Sequence, residues 1–209
     1  MTNRMVENNK VYLTGKIASG FTYSHRVMGE NFYTIKLAAK RISGTEDILP
    51  LLVSERLMDI RKDYAGCVME VFGQFRSYNF HEETGNRLIL SVFVQQGSIT
   101  EPAGPKWNNQ IFMDGYICKP PVYRKTPLGR NIADLLLAVN RPYGKSDYIP
   151  CIIWGRNALF AAALEVGTRV NIWGRIQSRE YVKHLGQAES EVRMAYEVSI
   201  SRLEVANEA

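Results

Sequence analysis

The sequence contains nearly the same pattern twice, one hundred residues apart. Identical residues recur at a spacing of 100 from Asn9, Gly15, Ile17, Tyr23, Gly29, Asn31, Leu37, Ala38, Arg41, Gly44, Asp47 and Pro50. The frame then slips by one residue, since Gly66 and Gly73 match Gly167 and Gly174. Solenoid repeats run only about 20–50 residues, so this period indicates a duplicated domain. A unit of about 100 residues is large enough to bury its own core.

Composition places the chain among ordinary globular proteins. Of its 209 residues, 45% are hydrophobic and 22% are charged. No apolar run approaches the roughly 20 residues needed to span a bilayer, and the polar N-terminus has no apolar core for export. We therefore expect a cytoplasmic protein without membrane contact. Three isolated cysteines without metal-ligand spacing are expected to be reduced and structural, namely Cys67, Cys118 and Cys151.

The positive charge is unevenly distributed. Residues 109–183 hold 11 Lys and Arg against 5 Asp and Glu, whereas residues 1–100 hold 12 against 10. The net charge of +5 is modest, and such an excess alone is typical of a solvated surface. The residues among which these charges lie decide whether they bind a polyanion.

Each copy is predicted to form three strands, a short helix and two further strands. The strand segments are rich in β-branched, aliphatic and aromatic residues and are bounded by Gly, Pro, Asn or Asp. In the first copy they include residues 10–17, 31–41, 48–53 and 88–94, and in the second copy residues 110–117, 131–141, 148–153, an alternating run from 170, and 195–203. Apolar residues recur at helical spacing in residues 54–64 and 156–165.

This order of elements is that of the OB-fold, a five-stranded, partly open Greek-key barrel. The predicted fold class is therefore all-β, with two tandem OB-folds and a short helix between the third and fourth strands of each. We expect the domains at residues 1–98 and 109–209, joined by a Pro- and Gly-containing linker at 99–108. Gly15 and Gly115 lie inside the first strands and suit a bend that serves both sides of a barrel.

The second copy interleaves aromatic rings with basic residues. Tyr148 and Trp154 are six apart on a predicted strand, so they share one face, roughly 20 Å apart. Tyr143 precedes that strand, and Tyr181 ends the next one on its arginine-bearing face. The basic residues among them are Arg141, Lys145, Arg156, Arg175 and Arg179. Rings stack on any base while cations follow the phosphates, so the pattern favours sequence-independent binding of single strands. The alternative is that these rings belong to the core.

Three blocks of the second copy, residues 136–143, 148–156 and 174–181, resemble the bacterial single-stranded DNA-binding protein family in order and spacing. The resemblance implies that bases stack on the rings of Tyr143, Tyr148, Trp154 and Tyr181. It also implies four OB-folds working as one assembly, which two chains would complete as a homodimer. The apolar segments 11–13 and 111–113 are candidates for pairing at the dimer interface.

The first copy matches the family more weakly. At the four positions of the family's rings it has Ser43, Ile48, Ser54 and Phe80. We therefore expect its binding face to be degenerate and its role to be mainly in assembly, with Arg41, Tyr78 and Phe80 as remaining candidate DNA contacts. Family members usually end in an acidic, hydrophobic tip that recruits replication enzymes. The sequence stops just past the last predicted strand, so recruitment through such a tail is not expected.

The favoured function is sequence-independent binding of single-stranded DNA in bacterial replication, recombination or repair. No nucleophile–base pattern, phosphate-binding loop or dinucleotide fingerprint occurs, so neither catalysis nor a cofactor nor a metal is expected. Two alternatives stay open: a primosome-type accessory protein of the same fold, and a protein-interaction scaffold with reduced DNA binding. The rings and arginines of the second copy argue against the scaffold, and their loss in the first copy argues for it there.

Overall fold

The structure, a computed structural model, describes residues 8–82, 85–100, 108–184 and 190–206. The first copy forms strands β1 (Asn9–Ile17), β2 (Thr22–Val27), β3 (Glu30–Lys40), β4 (Glu46–Ser54), β5 (Val68–Glu82) and β6 (Gly85–Thr100). The second copy forms β7 (Asn109–Ile117), β8 (Val122–Lys125), β9 (Asn131–Arg141), β10 (Lys145–Trp154), β11 (Arg169–His184) and β12 (Ser190–Val205), with helix α1 (Arg156–Ala162) between β10 and β11.

Each copy closes into a small barrel because its first strand pairs along both of its edges with strands of the same copy. Strand β1 pairs with β5 along most of its length and with β3 at Lys16 and Ile17, and β7 pairs in the same way with β11 and β9. A Cβ on Gly15 would lie 2.5 Å from the carbonyl oxygen of Ala38, and one on Gly115 would meet the equivalent carbonyl at 2.8 Å. Glycine therefore permits the close approach that closes each barrel.

The two barrels are joined inside one chain by antiparallel pairing of β1 with β7. The register runs from Asn9 opposite Met113 to Leu13 opposite Asn109. The expectation that these segments pair between two chains is therefore wrong. Duplication places both strands in one polypeptide, where the high effective concentration favours intramolecular pairing. The result is a twelve-stranded order that is nearly symmetric about this central pair, β2-β3-β4-β6-β5-β1-β7-β11-β12-β10-β9-β8.

The core lies inside the barrels and is built by strand alternation. Inward residues of the first copy and their counterparts in the second are fully or almost fully buried, as in Leu13, Leu49, Phe75, Met113, Ile149 and Ile176. The outward faces of the same strands are left free to carry polar and aromatic side chains.

The helix predicted for the first copy at residues 54–64 is absent, and turns take its place. Short polar side chains there accept hydrogen bonds from backbone N–H groups two residues ahead: Ser54 from Arg56 at 3.1 Å and Asp59 from Arg61 at 3.2 Å. Such local bonds compete with helix formation. The second copy has the strong helix former alanine at buried positions 158 and 161, and its helix forms.

Strand lengths also differ from the sequence-based expectation. Strands β2 and β8 were not predicted because every one of their side chains is exposed, which leaves no hydrophobic periodicity to detect. Each copy thus has six strands rather than five. Strand β6 continues to Thr100 and enters the predicted linker, whose residues 101–107 lie outside the described part. No helix within the described residues has the length and apolarity to cross a membrane.

Candidate nucleic-acid interface

Strand β10 presents two aromatic rings on its outward face. Its odd-numbered residues from Asp147 to Ile153 are buried, whereas Tyr148 is 42% and Trp154 is 40% exposed. Because the two rings are an even number of residues apart, they lie on the same side of the strand. The structure thus places both where the sequence predicts them, outside the core.

Tyr143 lies in a 3-10 turn, Pro142–Gly144, that joins β9 to β10. Its side chain is 97% exposed, and its φ of 65° is in the left-handed region that non-glycine residues seldom adopt. Such strained backbone costs roughly 1–3 kcal/mol and concentrates at binding sites. The turn projects a full ring into solvent at the start of the ring-bearing strand.

Tyr181 lies near the end of β11, directly opposite Arg193 of β12, and is 37% exposed. The parallel pairing of Ile152 with Ser199 and the antiparallel pairing of Ser199 with β11 put Tyr181 on the same sheet face as the β10 rings. Arg193, whose Nε donates to Glu191 at 2.7 Å, was not singled out from the sequence. Fixing the register of the β11–β12 hairpin would have identified it.

The predicted cations fall into two groups. Lys145, Arg156 and Arg179 are exposed, and no described carboxylate lies within ion-pair distance of them. Arg41 and Arg141 instead pair with buried aspartates of their own copy. Arg41 donates to both carboxylate oxygens of Asp47, at 2.7 and 2.5 Å, and Arg141 Nε lies 3.1 Å from Asp147 Oδ2 without hydrogen-bond geometry.

Arg175 shares the sheet face of the rings of its own copy, but its side chain reaches the first copy. Its guanidinium faces Asp47 of the first copy at 3.8 Å, beside Arg41. Burial and the nearby Arg41 charge lower the pKa of Arg175. Arg76 of the first copy is placed similarly against the second copy, where burial and Arg141 lower its pKa. Sequence neighbourhood could not reveal this exchange, because it depends on contacts between the copies.

Each copy also holds the other's β4 or β10 strand through a serine, in an arrangement we term the cross-copy clasp. Ser77 donates its backbone N–H to Asp147 Oδ1 at 2.6 Å, and its Oγ accepts the backbone N–H of Tyr148 at 2.8 Å. In the mirror arrangement Ser178 N–H donates to Asp47 at 2.8 Å, and Ser178 Oγ accepts the N–H of Ile48 at 3.0 Å. Burial raises the pKa of Asp147, since a buried carboxylate loses its hydration.

At the ring positions of the first copy, the structure shows three different environments. Ser43 is exposed and Ile48 is half-buried, whereas Ser54 is 7% exposed and donates a short hydrogen bond to Glu30. The Phe80 side chain lies outside the described residues. Two other rings, Phe32 and Phe93, occupy this face and were not considered from the sequence. The register of β3 with β4, which puts Phe32 opposite Ser54, would have found the first.

Comparison with known proteins identifies the family. A family model described as the single-strand binding protein family matches residues 108–205, which include β7 to β12. The single-stranded DNA-binding protein B of Bacillus subtilis is 34% identical over 85 residues, 37% of this chain and 75% of that relative. The chain belongs to the single-strand binding protein family.

Other members of the single-strand binding protein family are also similar. The single-stranded DNA-binding protein of Halalkalibacterium halodurans is 34% identical over 86 residues, 38% of this chain and 51% of that relative. The chain spans about half the length of the first curated relatives it matches. The resemblance predicted from the three sequence blocks is thus confirmed.

The fold agrees with this family. The wild-type single-stranded DNA binding protein from Thermus aquaticus superposes with a TM-score of 0.72 over 96% of this chain and 94% of that chain, at 20% identity. A deletion mutant of that protein gives the same TM-score over 96% and 95%. The likeness concerns the fold and confirms the predicted all-β, OB-fold class. Among the described residues, no group of three or more His, Cys, Asp or Glu could hold a metal ion.

Proposed function

We propose that this chain binds single-stranded DNA without sequence preference, mainly through its second copy, and serves bacterial replication, recombination or repair. The observation that carries the proposal is the common face of β10 and β11, where Tyr148, Trp154 and Tyr181 are partly exposed. Tyr143 projects from the turn at the edge of this face. The curated relatives of the chain are named single-stranded DNA-binding proteins.

The chemistry of the face fits a single strand better than a duplex. Each exposed ring offers a stacking platform worth roughly 1–3 kcal/mol per base, and a duplex hides its base faces. Lys145, Arg156 and Arg179 supply positive charge for phosphates around these rings. Binding of this kind needs no catalytic group, cofactor or metal, and we assign the protein a non-catalytic role in the cytoplasm.

A titration with oligo-dT tests the proposal, with intrinsic tryptophan fluorescence as the signal. We expect quenching on the single strand, because Trp154 lies on the proposed face, and little change with a duplex of the same length. Three neutralised phosphates would give a slope of about −2 for log affinity against log salt, at about −0.7 per phosphate. Equal affinity for duplex and single strand would exclude base stacking. No binding to either would favour the protein-interaction scaffold.

We also propose that two chains assemble, giving four OB-folds. With β1 and β7 paired inside the chain, a second chain must use another surface. The outward face of the central strands carries two aromatic pairs: Tyr12 stacks on Phe72 with ring centroids 4.6 Å apart, and Phe112 lies 5.2 Å from Trp173. The strand registers place all four rings on one side of the sheet. Self-complementary apolar surface of this kind suits an isologous dimer.

A further inference from the structure

We propose that the first copy carries a second stacking surface for the single strand, built from His25, Phe32, Phe93 and Arg76, with its three rings on different strands from those that carry the rings of the second copy. The inference rests on the proposed function, since it extends single-strand binding to the first copy, which has a ring at only one of the four positions where the family has rings. We call these four residues the first-copy row.

Strand registers place the row on the face that corresponds to the rings of the second copy. Phe32 on β3 lies opposite Ser54, the counterpart of Trp154, so a ring absent from β4 is present on the neighbouring strand. Phe93 on β6 pairs with Leu52, which shares the outward face of β4 with Ser54. Two rings therefore lie on the strands beside β4, which has a serine at the position of Trp154.

The four planar groups succeed one another across the sheet. The His25 and Phe32 rings are nearly parallel with centroids 5.2 Å apart, and the Phe32 and Phe93 centroids are 6.0 Å apart. The guanidinium carbon of Arg76 lies 3.9 Å from the centre of the Phe93 ring. His25 is exposed and the other three groups are partly exposed. Aromatic and guanidinium planes both stack on unpaired bases, so the row offers successive platforms.

The second copy has different residues at the positions equivalent to the first-copy row. A comparison of the two repeats therefore does not reveal the row. The position equivalent to Phe32 is Ile132, and the structural counterpart of Phe93 is Ser199. Arg76 is likewise matched by Gln177. The two copies therefore carry their proposed stacking rings on different strands of the same fold.

Arg76 connects the row to the second copy through a cleft at the junction. The cleft is lined by residues of both copies, among them Asn9, Gln74, Arg76, Asn140, Arg141 and Asp147. Two guanidinium groups here face one carboxylate, which leaves an excess positive charge that a phosphate diester would neutralise. The cleft also includes Pro142, the first residue of the turn that carries Tyr143. A strand leaving the second-copy rings can therefore continue across the cleft onto the first-copy row.

Oligonucleotides of two lengths separate this inference from the proposed function. A single OB-fold covers about 4–16 nucleotides, so oligo-dT of about 10 nucleotides occupies the second copy and one of about 30 reaches the first. The double variant Phe32→Leu, Phe93→Leu keeps apolar bulk but removes both rings. We expect it to bind the short oligonucleotide like the wild type and the long one at least about 30-fold more weakly. The control Trp154→Leu should weaken binding of both lengths.

A second variant removes a charge from the cleft and keeps both phenylalanine rings. Arg76→Gln introduces the residue of the second copy, and it should lower affinity for the long oligonucleotide about fourfold at about 0.15 M salt while reducing the magnitude of the salt slope by about 0.7. Lys16→Gln removes an equal charge on β1, seven residues and roughly 23 Å along the strand from the cleft residue Asn9, and should change neither.

The outcomes are distinct. Failure of the wild type to bind either oligonucleotide overturns the proposed function. Wild-type binding with the double variant folded and unchanged on the long oligonucleotide overturns the first-copy row alone. If the double variant does not fold, Arg76→Gln decides: a smaller salt slope supports the inference, and an unchanged slope overturns it, because a merely structural change in Arg76 would leave the number of neutralised phosphates the same.

Discussion

The side chain of Ser77 in the first copy holds the backbone of Tyr148 in the second, through an N–H···Oγ hydrogen bond of 2.8 Å. Ser178 makes the equivalent bond of 3.0 Å to Ile48. The two bonds are related by the internal duplication, but only one of them positions a strand at a residue with an exposed ring. The duplication therefore gives two serine sites with the same hydrogen-bond pattern. Only the Ser77 site supports a residue that we propose to contact DNA.

Replacing either serine by alanine should therefore destabilise the protein equally but affect DNA binding unequally. Each change leaves a backbone N–H without its partner, which costs about 1–3 kcal/mol in the free energy of unfolding. Ser77→Ala should also lower oligo-dT affinity by about two- to fivefold, an effect of about 0.5–1 kcal/mol, because Tyr148 loses its support. Chemical denaturation and fluorescence titration measure the two effects. Equal affinities for the two variants would show that the bond does not position the ring.

The aspartates of the clasp should differ in how they respond to charge removal. Asp47 accepts two aligned bonds from Arg41, whereas Asp147 has one oxygen buried without a hydrogen bond. Removing one partner of a buried pair costs about 3–5 kcal/mol when the pair is well formed. We therefore expect Asp47→Asn to destabilise the fold strongly and Asp147→Asn to destabilise it less, as measured by urea unfolding at neutral pH.

The effect of Asp147→Asn on the stability of the fold should depend on pH. Because burial raises the pKa of Asp147, the folded protein binds this proton more tightly than the unfolded chain does. The contribution of Asp147 to stability therefore falls as pH rises from its ordinary unfolded pKa through its raised folded pKa. The stability of the wild type relative to Asp147→Asn should decline across that interval in a series of urea titrations. A relative stability that rises with pH there would mean that the carboxylate is held ionised by its arginines.

Replacing Tyr143 in its turn by glycine should stabilise the fold and weaken DNA binding. Glycine adopts the left-handed φ freely, so Tyr143→Gly should stabilise the fold by about 1 kcal/mol. It should also remove one stacking platform and lower affinity by roughly 1–3 kcal/mol. Ser43→Gly is the matched control, because position 43 has no positive φ and glycine there brings no relief. Thermal unfolding together with oligo-dT titration distinguishes the two variants, and a destabilised Tyr143→Gly would refute the role assigned to strain.

Much of the proposed site follows from one-dimensional patterns. The spacing of Tyr148 and Trp154 on a strand suffices to place both on one face, and the repeat suffices to give two similar barrels. Apart from β2 and β8, the order of the strands along each copy follows from the length and boundaries of the apolar segments. These features depend on residues close together in the chain, where alternation and turn chemistry act directly.

Contacts between the copies could not be predicted in the same way. Arg41 and Arg175 look alike as basic residues near rings, yet both face Asp47, and Arg175 does so from the other copy. Phe32 reaches the binding face only through the register of β3 with β4. Register and packing between distant segments depend on three-dimensional complementarity, which residue spacing alone does not encode.

Restoring rings to the first copy shows how the register changes an expectation. The sequence suggests that Ile48→Tyr and Ser54→Trp would each add a platform. Ser54 is 7% exposed, binds Glu30 and lies opposite Phe32, so Ser54→Trp should instead destabilise the fold by about 1–3 kcal/mol through overpacking. Ile48 is half-buried on the outward face, so Ile48→Tyr should keep the fold and tighten oligo-dT binding. Melting temperatures and titrations of the two single variants test this contrast, and a stable Ser54→Trp would contradict it.

The last prediction concerns assembly. Phe72 is 48% exposed although it stacks on Tyr12, which is a costly arrangement for a surface that faces only water. If a second chain covers this face, Phe72→Lys buries an unpaired charge in the interface, and the mass in solution should fall from twice 23.8 kDa to a single chain. Val122→Lys, on the exposed strand β8, should leave the mass unchanged. The dissociated variant should still bind a short oligonucleotide, because the rings of β10 and β11 lie in one chain. A wild type that sediments as one chain at micromolar concentration, or a Phe72→Lys variant that remains a dimer, would assign this aromatic face to another role.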